Sequence, residues 1–127
     1  MKIIKHLSGP NFYFLLAFVW TVLIFYLCLT ESSSLPKLTF PLKDKIVHFV
    51  FYFVFVLLWS LKLVYKKITF LIFILIVAIV TGIVIEFLQE KITDTRTFDW
   101  FDIIANSFGA ISSFIVLVIQ LPTKKTI

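Results

Sequence analysis

An all-α, polytopic membrane fold is the architecture this sequence predicts: a four-helix transmembrane bundle with its N-terminus and C-terminus both cytoplasmic. Two observations carry that expectation. Hydrophobic residues make up 61% of the 127 and charged ones only 15%, against roughly half and a quarter in soluble domains. The apolar residues also gather into four runs, each close to the roughly 20 residues that a helix needs to cross the hydrocarbon core. None of the runs alternates polar with apolar residues, as the strands of a closed barrel would. A single transmembrane domain is expected over 1–127, with helices over about 11–30, 44–64, 67–89 and 99–121, and no internal repeat.

The first run, residues 12–29, has no charge. It reads as a retained helix and not a signal peptide, because no small-x-small cleavage site follows it. Cys28 is preceded by Tyr26 and Leu27, where a lipoprotein site needs small residues, and as the only cysteine it cannot form an internal disulfide. Residues 30–41 form a loop, since Ser32-Ser33-Ser34-Leu35-Pro36 and Pro41 argue against helix. The second run, 46–61, carries no fixed charge, and the connection at 65–67 is so short that the second and third helices must be antiparallel neighbours. The third run, 68–85, is wholly apolar or small. A polar loop is expected over 89–98, with Thr97 or Asp99 capping the fourth helix and Trp100 at the membrane interface. The fourth run, 103–121, is apolar apart from Asn106, Gln120 and three serines. Ala78 and Gly82 on the third helix, and Ala105, Gly109 and Ser113 on the fourth, have the small-xxx-small spacing of close contacts within lipid. The third and fourth helices are therefore expected to pack on these faces.

Orientation follows from the basic residues. Lys2, Lys5, Lys62, Lys66, Lys67, Lys124 and Lys125 fall on one side and read as cytoplasmic, against Lys37, Lys43, Lys45, Lys91 and Arg96 on the other. All seven acids, Glu31, Asp44, Glu86, Glu90, Asp94, Asp99 and Asp102, lie on that second, outer side. The net charge of +5 thus comes from the inner face. It fits contact with anionic lipid headgroups and not with nucleic acid, for which no aromatic-basic motif is present.

The chemistry lies in a polar layer near the outer face. Asp44, His48 and Tyr52 are spaced by four on the second helix, so they share a face. Glu86 and Gln89 are three apart on the third, with Glu90 one step on. Asp99, Asp102, Asn106 and Gly109 follow a three-four-three spacing on the fourth. Counting helical rise from the cytoplasmic lysines puts His48 about 21 Å, Asn106 about 27 Å and Glu86 about 28 Å along their helices, toward the outer edge of a core about 30 Å thick. Groups at that depth are expected to face one another, because turning a charge to lipid near the bilayer centre costs about 2.5–3.5 kcal/mol or more. The candidate binding residues are Asp44, His48, Glu86, Gln89, Arg96, Asp99, Asp102 and Asn106. A polar lock that merely holds the helices together is the competing explanation. Asp44 between Lys43 and Lys45 also reads as an ordinary solvated helix start, Glu90 and Asp94 as solvated loop charges, and His6 as part of a basic tail. No close-spaced ligand motif such as His-Glu-x-x-His is present, so no metal and no cofactor are read from spacing. No serine or cysteine nucleophile motif occurs.

Three blocks resemble the signature of the VanZ-like family of bacterial membrane proteins. They are Asp44-Lys45-Ile46-Val47-His48-Phe49 with Tyr52, then Glu86-Phe87-Leu88-Gln89, then the stretch from Arg96-Thr97-Phe98-Asp99-Trp100-Phe101-Asp102 through Asn106 to Gly109. The resemblance covers roughly residues 40–115. The chain departs from the family pattern before Arg96, where a proline or glycine is usual, and at Ser113, where a second glycine usually stands. The resemblance implies a multi-pass protein of the bacterial cytoplasmic (inner) membrane, in a family whose namesake is linked to teicoplanin resistance. The partners expected are membrane lipids, a cell-wall precursor or glycopeptide, and other membrane proteins. The preferred reading is a non-enzymatic envelope protein whose outer polar layer binds a lipid headgroup, a wall precursor or a related ligand. Two others stay open: a small accessory subunit of a larger membrane complex, and an enzyme acting on lipid-linked substrates with His48, Glu86 and Asp102 as acid–base or metal-binding groups.

Overall fold

In a computed structural model, which describes residues 9–61 and 67–121, four helices follow one another: α1 (Pro10–Leu29), α2 (Lys43–Leu61), α3 (Ile68–Ile92) and α4 (Trp100–Ile119). Each is long and apolar enough to cross a membrane, which makes this a multi-pass helical membrane protein. Lys2, Lys5, His6, Lys62, Lys66, Lys124 and Lys125 lie outside the described residues, as does most of the 65–67 connection.

Burial follows the helical period. On α2 the buried residues are His48, Phe51, Tyr52, Phe55, Val56 and Ser60. On α4 they are Asp102, Asn106, Gly109, Ala110, Ser113 and Leu117. Both sets step by three and four, the spacing of a single face. The outward faces are as apolar as the inward ones: Phe14, Phe18 and Tyr26 on α1, Phe73 and Ile76 on α3 and Phe108 on α4 are all exposed. In water such surface would be unstable. In lipid it is the solvated face.

The most extensive helix contact is between α2 and α4; α3 lies against α4, and α1 packs more lightly on α2 and α3. Gly109 explains the first of these. An alanine methyl there would lie 2.1 Å from the Phe49 carbonyl oxygen, so only glycine lets the two backbones approach so closely. This corrects the expectation that the Gly109 face meets α3: it meets α2, and Ala105 is only half-buried. Gly82 on α3 does face α4, against the Asn106 side chain, and also touches the Tyr52 ring. Two indoles add polar ties within the apolar core: Trp20 Nε1 donates to the Phe51 carbonyl at 2.9 Å and Trp59 Nε1 to Thr21 Oγ1 at 3.1 Å.

Two boundaries differ from expectation. α3 continues to Ile92, so the polar loop begins at Thr93 and not at Gln89. Glu90 and Lys91 are good helix formers, and once the helix leaves the apolar zone charge no longer opposes it. Thr93 ends it, its hydroxyl donating to the Gln89 carbonyl at 2.7 Å. The 30–42 loop contains one 3₁₀ turn, Ser32–Ser34. Asp99 caps α4: its Oδ1 accepts from the Phe101 amide at 2.8 Å. The loops before α2 and before α4 meet at one end of the bundle. Glu31 accepts there from the Asp94 amide at 2.8 Å, from the Thr95 amide at 3.1 Å and from the Thr95 hydroxyl. The Ser32 amide in turn donates to Thr95 Oγ1 at 3.0 Å. These bonds hold the Glu31 carboxyl below its usual range, the Thr95 hydroxyl contributing most.

Candidate functional site: a polar cleft at the acid-bearing end

Lys45, on the first turn of α2, reaches across to α4. Its Nζ lies 2.5 Å from Asp99 Oδ2 and 2.5 Å from Asp102 Oδ1. The lysine beside it holds the Asp99 carboxyl below the usual carboxylate range. One turn deeper, His48 Nδ1 donates to Asn106 Oδ1 at 2.9 Å, while His48 Nε2 faces Asp102 Oδ2 at 3.7 Å. On the other side of the ring Nδ1 lies 3.8 Å from Glu86 Oε1 of α3. Glu86 is wholly buried; the Asp99 amide approaches its carboxylate, but neither oxygen completes a well-formed hydrogen bond. The amide nitrogen of Asn106 and the Tyr52 hydroxyl, also buried, likewise lack partners. An unsatisfied buried polar group of this kind is costly.

Above this cluster lies a cleft of about 690 Å³, with both loops and the ends of α1, α2, α3 and α4 around it. Lys37, Lys43, Asp44, Arg96, Asp99 and Asp102 supply charge. Leu27, Cys28, Val47 and Phe51 supply an apolar wall. Arg96 Nε is buried with no acceptor, and Arg96 forms no ion pair among the described residues.

The structure divides the sequence-derived candidates into three sets. His48, Glu86, Asp102 and Asn106 come together in the buried cluster. Gln89, Arg96 and Asp99 line the cleft, Gln89 from a buried position. Asp44 reaches the cleft only from an exposed position on its rim; it does not share the buried face of His48 and Tyr52. The reason is angular: α2 presents Lys45, not Asp44, toward α4. Lys45 is the residue that sequence reasoning missed, taken there for solvated charge. It stands three residues before His48, a spacing that places the two on one helix face. Glu31 was missed too, because its partners lie 63 and 64 residues away, across a loop contact that no local pattern signals.

No protein-family model matches the chain, and no solved structure matches it. It is similar to an uncharacterized protein of the fission yeast Schizosaccharomyces pombe, 38% identical over 91 residues. That match covers 68% of this chain, and the chain spans about 55% of the length of the yeast protein.

Proposed function

We propose that this chain is a VanZ-like envelope membrane protein whose cleft binds the phosphate-bearing headgroup of a lipid or lipid-linked molecule. In this reading both termini are cytoplasmic and the cleft opens on the outer side of the bacterial cytoplasmic membrane. The observation that carries the proposal is Arg96: a guanidinium on the cleft wall with a buried donor and, among the described residues, no ion pair, the Glu31 carboxylate within its field being bonded to Asp94 and Thr95. A phosphate supplies the acceptor that this donor lacks, and arginine suits that partner through its planar fork of N–H groups. Lys37 and Lys43 add positive charge at the rim, while Lys45 is already engaged by Asp99 and Asp102. Asp44 forms no ion pair among the described residues and is placed to receive a headgroup amine. The wall of Leu27, Val47 and Phe51 suits the first carbons of an acyl chain. Charged and apolar lining in one cleft is the pattern of an amphiphile site.

Native mass spectrometry of the metal-free protein with phosphatidylethanolamine, phosphatidylglycerol and diacylglycerol tests this. Both phospholipids should be retained over the uncharged diacylglycerol. Arg96→Ala should lower retention of both, and Asp44→Asn that of the amine-bearing lipid alone. Equal retention of all three lipids, or occupancy untouched by Arg96→Ala, would overturn the proposal.

A further inference from the structure

Glu86 is a buried acid poorly provided for by the fold. Its carboxylate comes from the apolar helix α3 and is wholly buried; the Asp99 amide approaches it, but neither oxygen completes a well-formed hydrogen bond. It points into a group made with His48 of α2 and Asp102 of α4, each also buried. One ring nitrogen of His48 and one carboxylate oxygen from each acid all lie within 4.8 Å of one another. Two buried acids this close repel each other unless one is protonated or something positive lies between them, and Lys45 reaches only the outer one, Asp102.

The geometry points to a divalent metal site, of the Zn²⁺ or Mn²⁺ type, formed by His48, Glu86 and Asp102 beneath the cleft. Three further features fit a coordination sphere. Asn106 Oδ1 accepts from His48 Nδ1 at 2.9 Å, which selects the tautomer whose Nε2 lone pair is free. Orientation of a ligating histidine through its other nitrogen is the usual outer-sphere arrangement. Lys45 Nζ engages Asp102 Oδ1 and leaves Oδ2 facing Nε2 at 3.7 Å. Ligands bonded to one tetrahedral ion at about 2.1 Å stand roughly 3.4 Å apart, so one ring nitrogen and one oxygen of each acid need to close by at most about 1.4 Å. Glu86 stands nearest Nδ1, at 3.8 Å, so coordination through Nε2 also requires its carboxylate to turn toward the Asp102 side of the ring. His48 and Asp102 also line the cleft, so the ion has an entry path and an open coordination position facing it. One nitrogen and two oxygens in a largely dehydrated pocket favour a transition metal over Mg²⁺, which holds its waters and prefers oxygen alone. Two carboxylates balance the charge of a dication. The spacing of 38 residues from His48 to Glu86 and 16 from there to Asp102 explains why no ligand motif is visible in the sequence.

The inference stands apart from the headgroup proposal and is tested with metal alone. Untagged protein in mild detergent is stripped with chelator and titrated with Co²⁺ as a visible probe, then with Zn²⁺ by calorimetry. One Co²⁺ per chain is expected, with visible bands of a nitrogen–oxygen site that Zn²⁺ displaces. Glu86→Gln and His48→Gln should each weaken binding about tenfold or more, and Asn106→Leu by about ten- to a hundredfold. Glu90→Gln, on the exposed side of α3, should leave it unchanged. Absence of saturable one-to-one binding by wild type would overturn the site, whatever the variants do. So would wild-type affinity in both Glu86→Gln and Asp102→Asn. Because the lipid measurement uses metal-free protein, failure of one proposal is visible separately from failure of the other.

Discussion

Gly109→Ala should destabilise the bundle strongly, although alanine is the better helix former. The added methyl would sit 2.1 Å from the Phe49 carbonyl oxygen, 2.9 Å from its carbonyl carbon and 3.1 Å from its Cα. All three atoms are backbone, so no rotamer change relieves the clash. To reach ordinary contact, α2 and α4 must part by roughly 1.3 Å along their most extensive interface. Overpacking costs about 1–3 kcal/mol where side chains yield; with rigid backbone on both sides the upper figure applies. The helix-propensity gain of alanine over glycine offsets about 1 kcal/mol, leaving a net loss of about 2 kcal/mol. Gly82→Ala is the control. Its methyl would have as its nearest neighbours side-chain atoms, Asn106 at 3.1 and 3.2 Å and the Tyr52 ring at 3.4 Å, which need shift by only a few tenths of an ångström. Its net effect should stay within about 1 kcal/mol of zero. Reversible unfolding in mixed micelles measures both variants. Gly109→Ala should unfold well below wild type, with Gly82→Ala near it. A Gly109→Ala protein as stable as wild type would show that α2 and α4 are not in backbone contact, and the cluster geometry built on that contact would fall with it.

Other consequences can be measured in the same system. Lys45→Met leaves the buried Asp102 without its partly exposed cation and should cost about 1–3 kcal/mol, between the values for exposed and fully buried pairs; adding Asp102→Asn should recover much of it. Glu86→Met in metal-free protein should be neutral or raise the unfolding midpoint, by about 1–3 kcal/mol, since an unpartnered buried carboxyl is replaced by an apolar side chain; a large loss would mean that Glu86 has a stabilising partner in the fold. Glu31 has a folded pKa below its unfolded value, so its contribution is present at neutral pH and is lost as pH falls through the depressed value. The stability gap between wild type and Glu31→Gln should therefore close as pH drops below about 4, and a gap that widened with acid would contradict the staple. On the proposal of a VanZ-like envelope role, expression in a glycopeptide-sensitive Gram-positive host should lower teicoplanin susceptibility, and a well-inserted Arg96→Ala variant should not; unchanged susceptibility with wild type would count against that proposal.

The spans, their number and their apolar outer faces were legible in the sequence because lipid imposes a composition and a length that no packing detail can override. The residues of the buried cluster were legible for a related reason. A histidine, a glutamate or an asparagine on an otherwise apolar helix costs enough to stand out, and counting helical rise from the lysines placed all three at similar depth. What the sequence could not settle was rotation and pairing. Whether Asp44 or Lys45 faces the bundle depends on about 100° of turn about α2, and Gly109 meets α2 instead of α3 because of a backbone contact 60 residues away in the chain. The tie between the two loops through Glu31 is equally non-local. Composition therefore determined that this is a membrane protein with a polar layer. The tertiary structure alone decided which of those polar groups touch, because contacts between helices depend on register and rotation, and no one-dimensional pattern encodes either.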